Sequence, residues 1–278
     1  MASHIDLREC LNAISDVVNN RPSPLREFDQ IYMKTADMLL QTEHVGRQFD
    51  GRKVVFIGDG DAIALYLVHL HNSGLLERAP KAVHVLDFDE RVVLSIKKFA
   101  QQFGISGRVV AELYNVADPL PRRHWQKFSG FYTNPPFGAS NGGKSVEAFL
   151  KRGIEAVGKE AVGCLVIADH KTLPWTTDVL VSTENMVLKN GFVIREMLPE
   201  FHHYHLDDTP ELTSCSMVIR RVQWERKPYA STAMGARARR NFYGEASPLW
   251  ARYVRDLTYG GRRPSRDHKI EPWKGVGK

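Results

Sequence analysis

Asn134-Pro135-Pro136-Phe137 is the stretch of this sequence best equipped for chemistry. Two consecutive prolines fix a rigid turn and remove amide donors from it. The Asn134 side-chain oxygen and the Pro135 carbonyl can then both accept from one amino group, and Phe137 beside them can stack on a flat ring. A pair of neutral acceptors favours tetrahedral nitrogen as positive charge develops, which suits a weakly basic, planar amine attacking a carbon donor. A strongly basic amine, with a pKa of about 10 like that of lysine, arrives protonated and needs a carboxylate to relieve it of the proton. Asn134 cannot do that; Asp59, Asp61 or Asp29 could.

A second constellation lies upstream. Gly58-Asp59-Gly60-Asp61 follows the apolar run Lys53–Ile57, where a nucleotide-binding sheet makes its first tight turn. Two glycines fall short of a dinucleotide fingerprint. Asp59 and Asp61 would repel a pyrophosphate but attract the amino and sulfonium groups of S-adenosylmethionine. Asp87 ends the next apolar run, where a carboxylate accepts from both ribose hydroxyls; the alternative for Asp87 and Asp89 is a helix N-cap, the role expected of Asp89. Asn115, after the third run, is placed to touch the adenine edge. His202-His203-Tyr204-His205 has the composition of a metal cluster, but adjacent histidines without a second ligand group read as a polar loop, and no metal is expected. Its position places Phe201, His203 and Tyr204 near the substrate mouth.

These residues need a frame. Short apolar runs at 53–57, 82–86, 108–114, 128–133 and 162–168 alternate with helical patterns at 62–76, 89–103 and 145–156, which predicts a parallel sheet covered on both faces. Segments 191–199 and 212–222 read as a closing pair of strands. Helices are expected at 4–20 and 34–46. Beyond Val222 the pattern breaks into Arg, Gly, Pro and aromatics. The three domains expected are a helical segment 1–50, a catalytic domain 51–222 and a basic, aromatic extension 223–278.

The 278 residues carry a net charge of +6, unevenly placed. From Val222 onward about thirteen Lys/Arg face about five Asp/Glu, whereas the body is close to neutral. Arg237-Ala-Arg239-Arg240, Arg252-Tyr253-Val-Arg255 and Arg262-Arg263-Pro-Ser-Arg266 interleave basic and aromatic side chains, as a nucleic-acid partner would require; a solvated surface or a contact within a homodimer are the alternatives. Three scattered cysteines exclude a disulfide framework within one chain, and with no secretory signal or apolar span a cytoplasmic setting without membrane association is expected.

Over residues 20–221 the chain resembles the branched-chain polyamine synthase family, the N4-bis(aminopropyl)spermidine synthases. The resemblance rests on Arg21-Pro-Ser-Pro24, Phe28-Asp29-Gln30, Ile57 to Asp61, Val85-Leu86-Asp87-Phe88-Asp89-Glu90, Leu120-Pro121 and Pro135-Pro136. It implies aminopropyl transfer from decarboxylated S-adenosylmethionine. That family's motif begins with Asp where this chain has Asn134, and its N-terminal winged-helix domain has no counterpart in the roughly fifty residues before the first strand. A second resemblance, to adenine N6-methyltransferases of the ribosomal-RNA type, rests on Gln30-Ile-Tyr32 with Thr35, Asp87 to Glu90, and Asn134 to Gly138 followed by Asn141 and Ala148-Phe149-Leu150-Lys151. Together they imply cofactor contacts from Gln30, Thr35 and Phe88 and substrate contacts from Asp29 and Tyr32.

The sequence thus predicts an α/β class I S-adenosylmethionine-dependent methyltransferase Rossmann-like fold with a mostly parallel seven-stranded sheet. Its first functional reading is N-methylation of adenine in RNA or DNA, its second aminopropyl transfer to a polyamine, its third a catalytically silent nucleic-acid-binding relative.

Overall fold

The computed structural model describes residues 7–224, 230–244, 249–259 and 267–273. In chain order its main elements are α1 (Leu7–Asn20), α2 (Thr35–Gln48), β1 (Lys53–Ile57), α3 (Ile63–Asn72), β2 (Ala82–Asp87), α4 (Glu90–Gln102), β3 (Val109–Leu113), β4 (Phe128–Thr133), α5 (Lys144–Ala156), β5 (Val157–Ala168), α6 (Pro174–Lys189), β6 (Phe192–His203), β7 (Thr213–Arg221), α7 (Ala236–Arg240), β8 (Ala251–Asp256) and β9 (His268–Pro272). Short 3-10 turns at Arg26–Phe28 and Arg122–His124 punctuate the connections.

Seven strands form one sheet in the order β3-β2-β1-β4-β5-β7-β6, parallel except for β7, which runs antiparallel to both neighbours. This is the class I fold expected from the alternating pattern. Alternation along β1 divides the interior in two. Val54 and Phe56 join the core built with α1 to α4, while Val55 and Ile57 join the core built with α5 and α6. Burying both faces explains why the parallel strands read as continuous apolar runs.

Strand order reverses between β1 and β4, since β1 leads on to β2 at one side and β4 to β5 at the other. The loops leaving the two tips therefore diverge and open a crevice, the usual place for a ligand in such sheets. Phe56 pairs with Tyr132, and Thr133 Oγ1 donates to the Ile57 carbonyl over 2.9 Å. Gly58 and Asn134 thus emerge side by side.

Four differences from the sequence reading matter. Helix α6 has no counterpart in the sequence pattern, because the polar Thr176-Thr177-Asp178 blurs its buried stripe of Val179, Thr183 and Val187. β5 begins five residues early, and β6 runs through His203, so His202 and His203 sit in a strand and not a loop. The N-terminal helices are not a separate unit: Cys10, Ile14, Val17, Met38 and Val45 share the sheet's core. Finally, the extension carries a hairpin, β8–β9, docked onto α4: the Val254 amide donates to the Phe88 carbonyl over 3.2 Å and Arg91 reaches Asp267 over 3.1 Å. The expected Arg262 to Arg266 cluster and residues 4–6 of the first helix lie outside the described residues. Among those described, no helix is long and apolar enough to cross a membrane.

Candidate active site

Gly58 adopts φ +73°, and a Cβ there would sit 3.1 Å from the Phe149 ring; one on Gly60 would sit 3.3 Å from Tyr32. The turn after β1 is therefore bare backbone facing a ligand-sized space. Asp59 also has a structural duty. One oxygen accepts from Ile63 N at 2.9 Å and the other from Ala64 N at 3.0 Å, at the start of α3. Ala62, the residue at the helix N-cap, is left-handed and has no side chain to cap with, so Asp59 supplies the cap from three residues earlier. Burial raises its carboxyl well above the ordinary range.

Asp61 is the acid that meets the Asn134-Pro135-Pro136-Phe137 motif. Its Oδ2 accepts from Asn134 Nδ2 at 2.8 Å, while Oδ1 accepts from Met33 N at 2.8 Å and faces Arg21 Nη1 at 3.5 Å. Burial raises this carboxyl too; Arg21 and the amide donors of Met33 and Asn134 offset part of that rise. Because an ionised carboxylate can only accept, the contact fixes the Asn134 amide with its nitrogen toward Asp61 and its oxygen the other way. Pro136 is anchored by Ser145 Oγ, which donates to its carbonyl over 2.8 Å, and Phe137 meets Tyr204 edge to face at 5.6 Å between ring centres.

At the tip of β2, Asp87 accepts from Asp59 N at 3.1 Å through one oxygen and from Asp89 N at 2.9 Å through the other. Each oxygen retains a second lone pair, so both can still accept from a vicinal diol. Burial, then the charge of Asp89, pushes this carboxyl up to about 7. Asp89 caps α4, accepting from Arg91 N, and also binds the Arg91 guanidinium and Gln30 Nε2.

A cavity of about 360 Å³ joins these groups. Asp29, Gln30, Tyr32, Gly58, Asp59, Gly60, Asp61, Asp87, Phe88, Asn115, the Asn134 to Phe137 motif and Tyr204 all line it. Three expected residues do not. Thr35 opens α2, half-buried beside the core. Phe201 turns toward α2, its ring 6.2 Å from that of His44. His203 points to solvent and is held by Asp37, which accepts from its backbone amide at 2.7 Å and lies 3.1 Å from its Nδ1. Alternation along β6 explains both, since Tyr204 turns inward. Its hydroxyl lies 2.6 Å from Ser214 Oγ, which meets His202 Nδ1 at 2.8 Å; His202 Nε2 meets Gln41 Oε1 at 2.9 Å. Burial pushes His202 down to about 3, so the ring is neutral, donates to Gln41 and accepts from Ser214, which in turn accepts from Tyr204. Asn115 reaches the cavity, but its amide is used otherwise than expected: Nδ2 donates to the Arg252 carbonyl and Oδ1 accepts from Ala117 N.

The sequence reading missed the walls. Phe242, Tyr243 and Leu249 of the extension line the cavity, as do Trp175 of α6 and Phe149 of α5. Phe28 meets Phe88, Tyr243 and Trp250 at ring separations of 5.5, 6.3 and 6.1 Å, tying the N-terminal segment to the extension. The signal available was the density of aromatics beyond Val222, too high for a solvated tail.

A family model for the branched-chain polyamine synthase A C-terminal domain matches residues 9–245. The chain belongs to this family. An uncharacterized protein of Methanocaldococcus jannaschii is 30% identical over 198 residues, 70% of this chain and 46% of that protein. The N(4)-bis(aminopropyl)spermidine synthase of Thermococcus kodakarensis is 26% identical over 199 residues, 70% of this chain and 53% of its own length. The chain thus spans about half the length of the curated relatives it matches. The crystal structure of the Thermus thermophilus branched-chain polyamine synthase C9 mutein, in complex with N4-aminopropylspermidine and 5'-methylthioadenosine, superposes with a TM-score of 0.67 at 22% identity. That likeness covers 81% of this chain and 66% of the mutein, and is one of fold. Membership in the polyamine synthase family favours the second sequence reading over the first, adenine methylation, which had rested on the neutral Asn134.

The charge of the cavity bears on the same choice. Among its lining residues the carboxylates are Asp29, Asp59, Asp61, Asp87 and Asp208, and the one guanidinium, Arg26, is paired with Asp208 at 3.4 Å. Two arginines of the basic extension are paired with carboxylates inside the chain. Arg252 reaches Asp118 at 3.3 Å, and Arg255 reaches Glu90 at 3.2 Å and Glu271 at 2.6 Å.

Proposed function

We propose that this branched-chain polyamine synthase domain transfers an aminopropyl group from decarboxylated S-adenosylmethionine to an amine nitrogen of a polyamine. The observation that carries the reading is the acidic cavity, with Asp61 held against Asn134 at the tip of β4. A polycation gains from such a lining, whereas a nucleic-acid phosphate would be repelled by it.

Bare backbone at Gly58 and Gly60, the two remaining acceptor sites on Asp87, and the walls of Phe88 and Tyr243 fit the nucleoside half of that donor. Bound there, it supplies a carbon activated by its sulfonium. The protein's part is to bring the amine in line with that carbon, worth several powers of ten when the geometry is held. Asn134 Oδ1 and the backbone of the two prolines orient the nitrogen. Asp61 replaces the carboxylate that Asn134 lacks. Its raised pKa brings it closer to that of the incoming ammonium, so it is the group to accept the proton. As the nitrogen bonds to the propyl carbon, the carbon–sulfur bond breaks and neutral 5'-methylthioadenosine leaves.

The test is incubation of the whole chain with spermidine and either S-adenosylmethionine or its decarboxylated form, followed by mass spectrometry. Products heavier by one aminopropyl unit, from the decarboxylated donor alone, support the reading. Methylated adenine from an RNA or DNA acceptor, with no polyamine product, overturns it.

A nucleic-acid partner for the extension is a separate proposal, favoured by one observation. A groove of about 950 Å³ between α5 and α7 is lined by Lys144, Lys151, Arg237 and Arg240 against the single carboxylate Glu147. Replacing Arg237 and Arg240 by Ala should weaken RNA binding and reduce its salt slope by about two; an unchanged slope removes the proposal.

A further inference from the structure

Away from the cavity, three side chains from separate elements converge at the β2–β3 side of the sheet. His84 stands on β2, Glu112 on β3, and His124 closes the turn Arg122–His124. His84 Nε2 lies 3.0 Å from Glu112 Oε1, and His124 Nε2 lies 3.1 Å from Glu112 Oε2. All three offer a donor atom within 4.8 Å of the others. The two rings stand edge to face, 4.7 Å apart.

Two features are poorly explained by hydrogen bonding alone. Both imidazoles direct Nε2 at one carboxylate, one at each of its oxygens. In addition, His84 Nε2 is buried and, despite its closeness to Glu112, has no aligned hydrogen-bond partner. A tetrahedral ion with ligands at about 2.0–2.1 Å spaces their atoms about 3.3 Å apart, close to the 3.0 and 3.1 Å between each imidazole nitrogen and the carboxylate oxygen it faces. The ladder pairing Leu86 with Glu112 and His84 with Val110 fixes two of the three ligands on rigid backbone. Arg123 Nη2, 2.6 Å from Glu112 Oε2, steadies the carboxylate from outside as a partner in an outer shell does.

We propose that His84, Glu112 and His124 bind one zinc-class divalent ion, with its fourth position open to water. Two imidazoles and a carboxylate suit zinc among the available divalent metals. The ion would fasten the Arg122–His124 turn to the sheet. The segment between β3 and that turn begins with Tyr114, Asn115 and Val116, which line the cavity, so the site lies at the other end of a cavity-forming loop. The inference does not depend on the polyamine reading.

The test uses the whole chain, stripped with a chelator and titrated with zinc against a chromophoric competitor, and separately with cobalt(II). One zinc per chain, a zinc-dependent rise in Tm, and visible cobalt bands of tetrahedral intensity are expected. His124→Ala and Glu112→Gln should each weaken zinc by about 100-fold or more and abolish the cobalt bands. His203→Ala, on the exposed end of β6, should leave both unchanged. Glu112→Gln keeps the shape of the side chain, and circular dichroism of each metal-free variant separates lost ligation from lost folding. Absence of zinc binding by the unmodified chain, or binding by both ligand variants as by the unmodified chain, overturns the proposal.

Discussion

Replacing Asn134 by aspartate sets two carboxyls against each other at the 2.8 Å contact with Asp61. At an effective dielectric of about 20, two full charges at that distance repel by about 6 kcal/mol. That corresponds to about four pK units, so the pair keeps one proton until roughly pH 8. The sign follows from linkage. In the unfolded chain the introduced carboxyl loses its proton near pH 4; in the folded chain the pair retains it to about 8, so the folded state binds more protons between those limits. Stability relative to the unmodified chain is therefore intact below pH 4, falls by about 1.4 kcal/mol per unit above it, and is lower by at most about 4 kcal/mol at pH 7. Solvent around the half-buried Asn134 reduces that figure. Denaturant midpoints for N134D and the unmodified chain at pH 4.5, 6 and 8 measure it. Two curves running parallel across that range would falsify the pairing, and with it the reason for placing Asp61 at the site of reaction.

Three further outcomes are expected. Asn134→Ala should lower aminopropyl turnover by about 100-fold or more while leaving 5'-methylthioadenosine affinity within about threefold; undiminished turnover would remove Asn134 from the reaction. Ribose hydroxyls donate best to an ionised Asp87, whose carboxyl is pushed up to about 7, so nucleoside affinity should be full above pH 7 and fall by up to about tenfold per unit below it. A dissociation constant that stays flat from pH 5.5 to 8 by calorimetry counts against Asp87 as the ribose acceptor. Phe28→Ala, at a residue 3% exposed between Phe88, Tyr243 and Trp250, should cost about 3 kcal/mol and weaken nucleoside binding together with stability; unaltered binding would separate the aromatic cluster from the cavity.

The parts legible from sequence were those dictated by local pattern. Apolar runs of five to seven residues between helical stretches gave the sheet, because parallel strands buried on both faces leave no other signature. Asp89 as a helix cap, and Asn134 beside a cofactor turn, followed from residue type and place in the chain. What escaped depended on contacts between distant residues. Nothing near Asp59 announces that Ala62 would be left-handed and leave α3 without its own cap. Phe201, His203 and Tyr204 read alike as neighbours on one segment, and only strand alternation turns Tyr204 inward and the other two away. Arginines at 252 and 255 looked like free charge because Asp118 and Glu90, their partners, lie over a hundred residues earlier. Family membership is what moves the proposed acceptor to a polyamine from adenine, toward which one neutral side chain had tilted the sequence reading.

The extension closes a cavity whose floor is laid down far away in the sequence. More than 150 residues separate Gly58 and Asp87 from Phe242, Tyr243 and the strand that bonds to the Phe88 carbonyl. The seven strands of the sheet are complete by Arg221, whereas one wall of the cavity comes only from residues beyond it, so a chain cut before residue 242 should keep every strand pairing of the sheet and lose the nucleoside affinity proposed for the site.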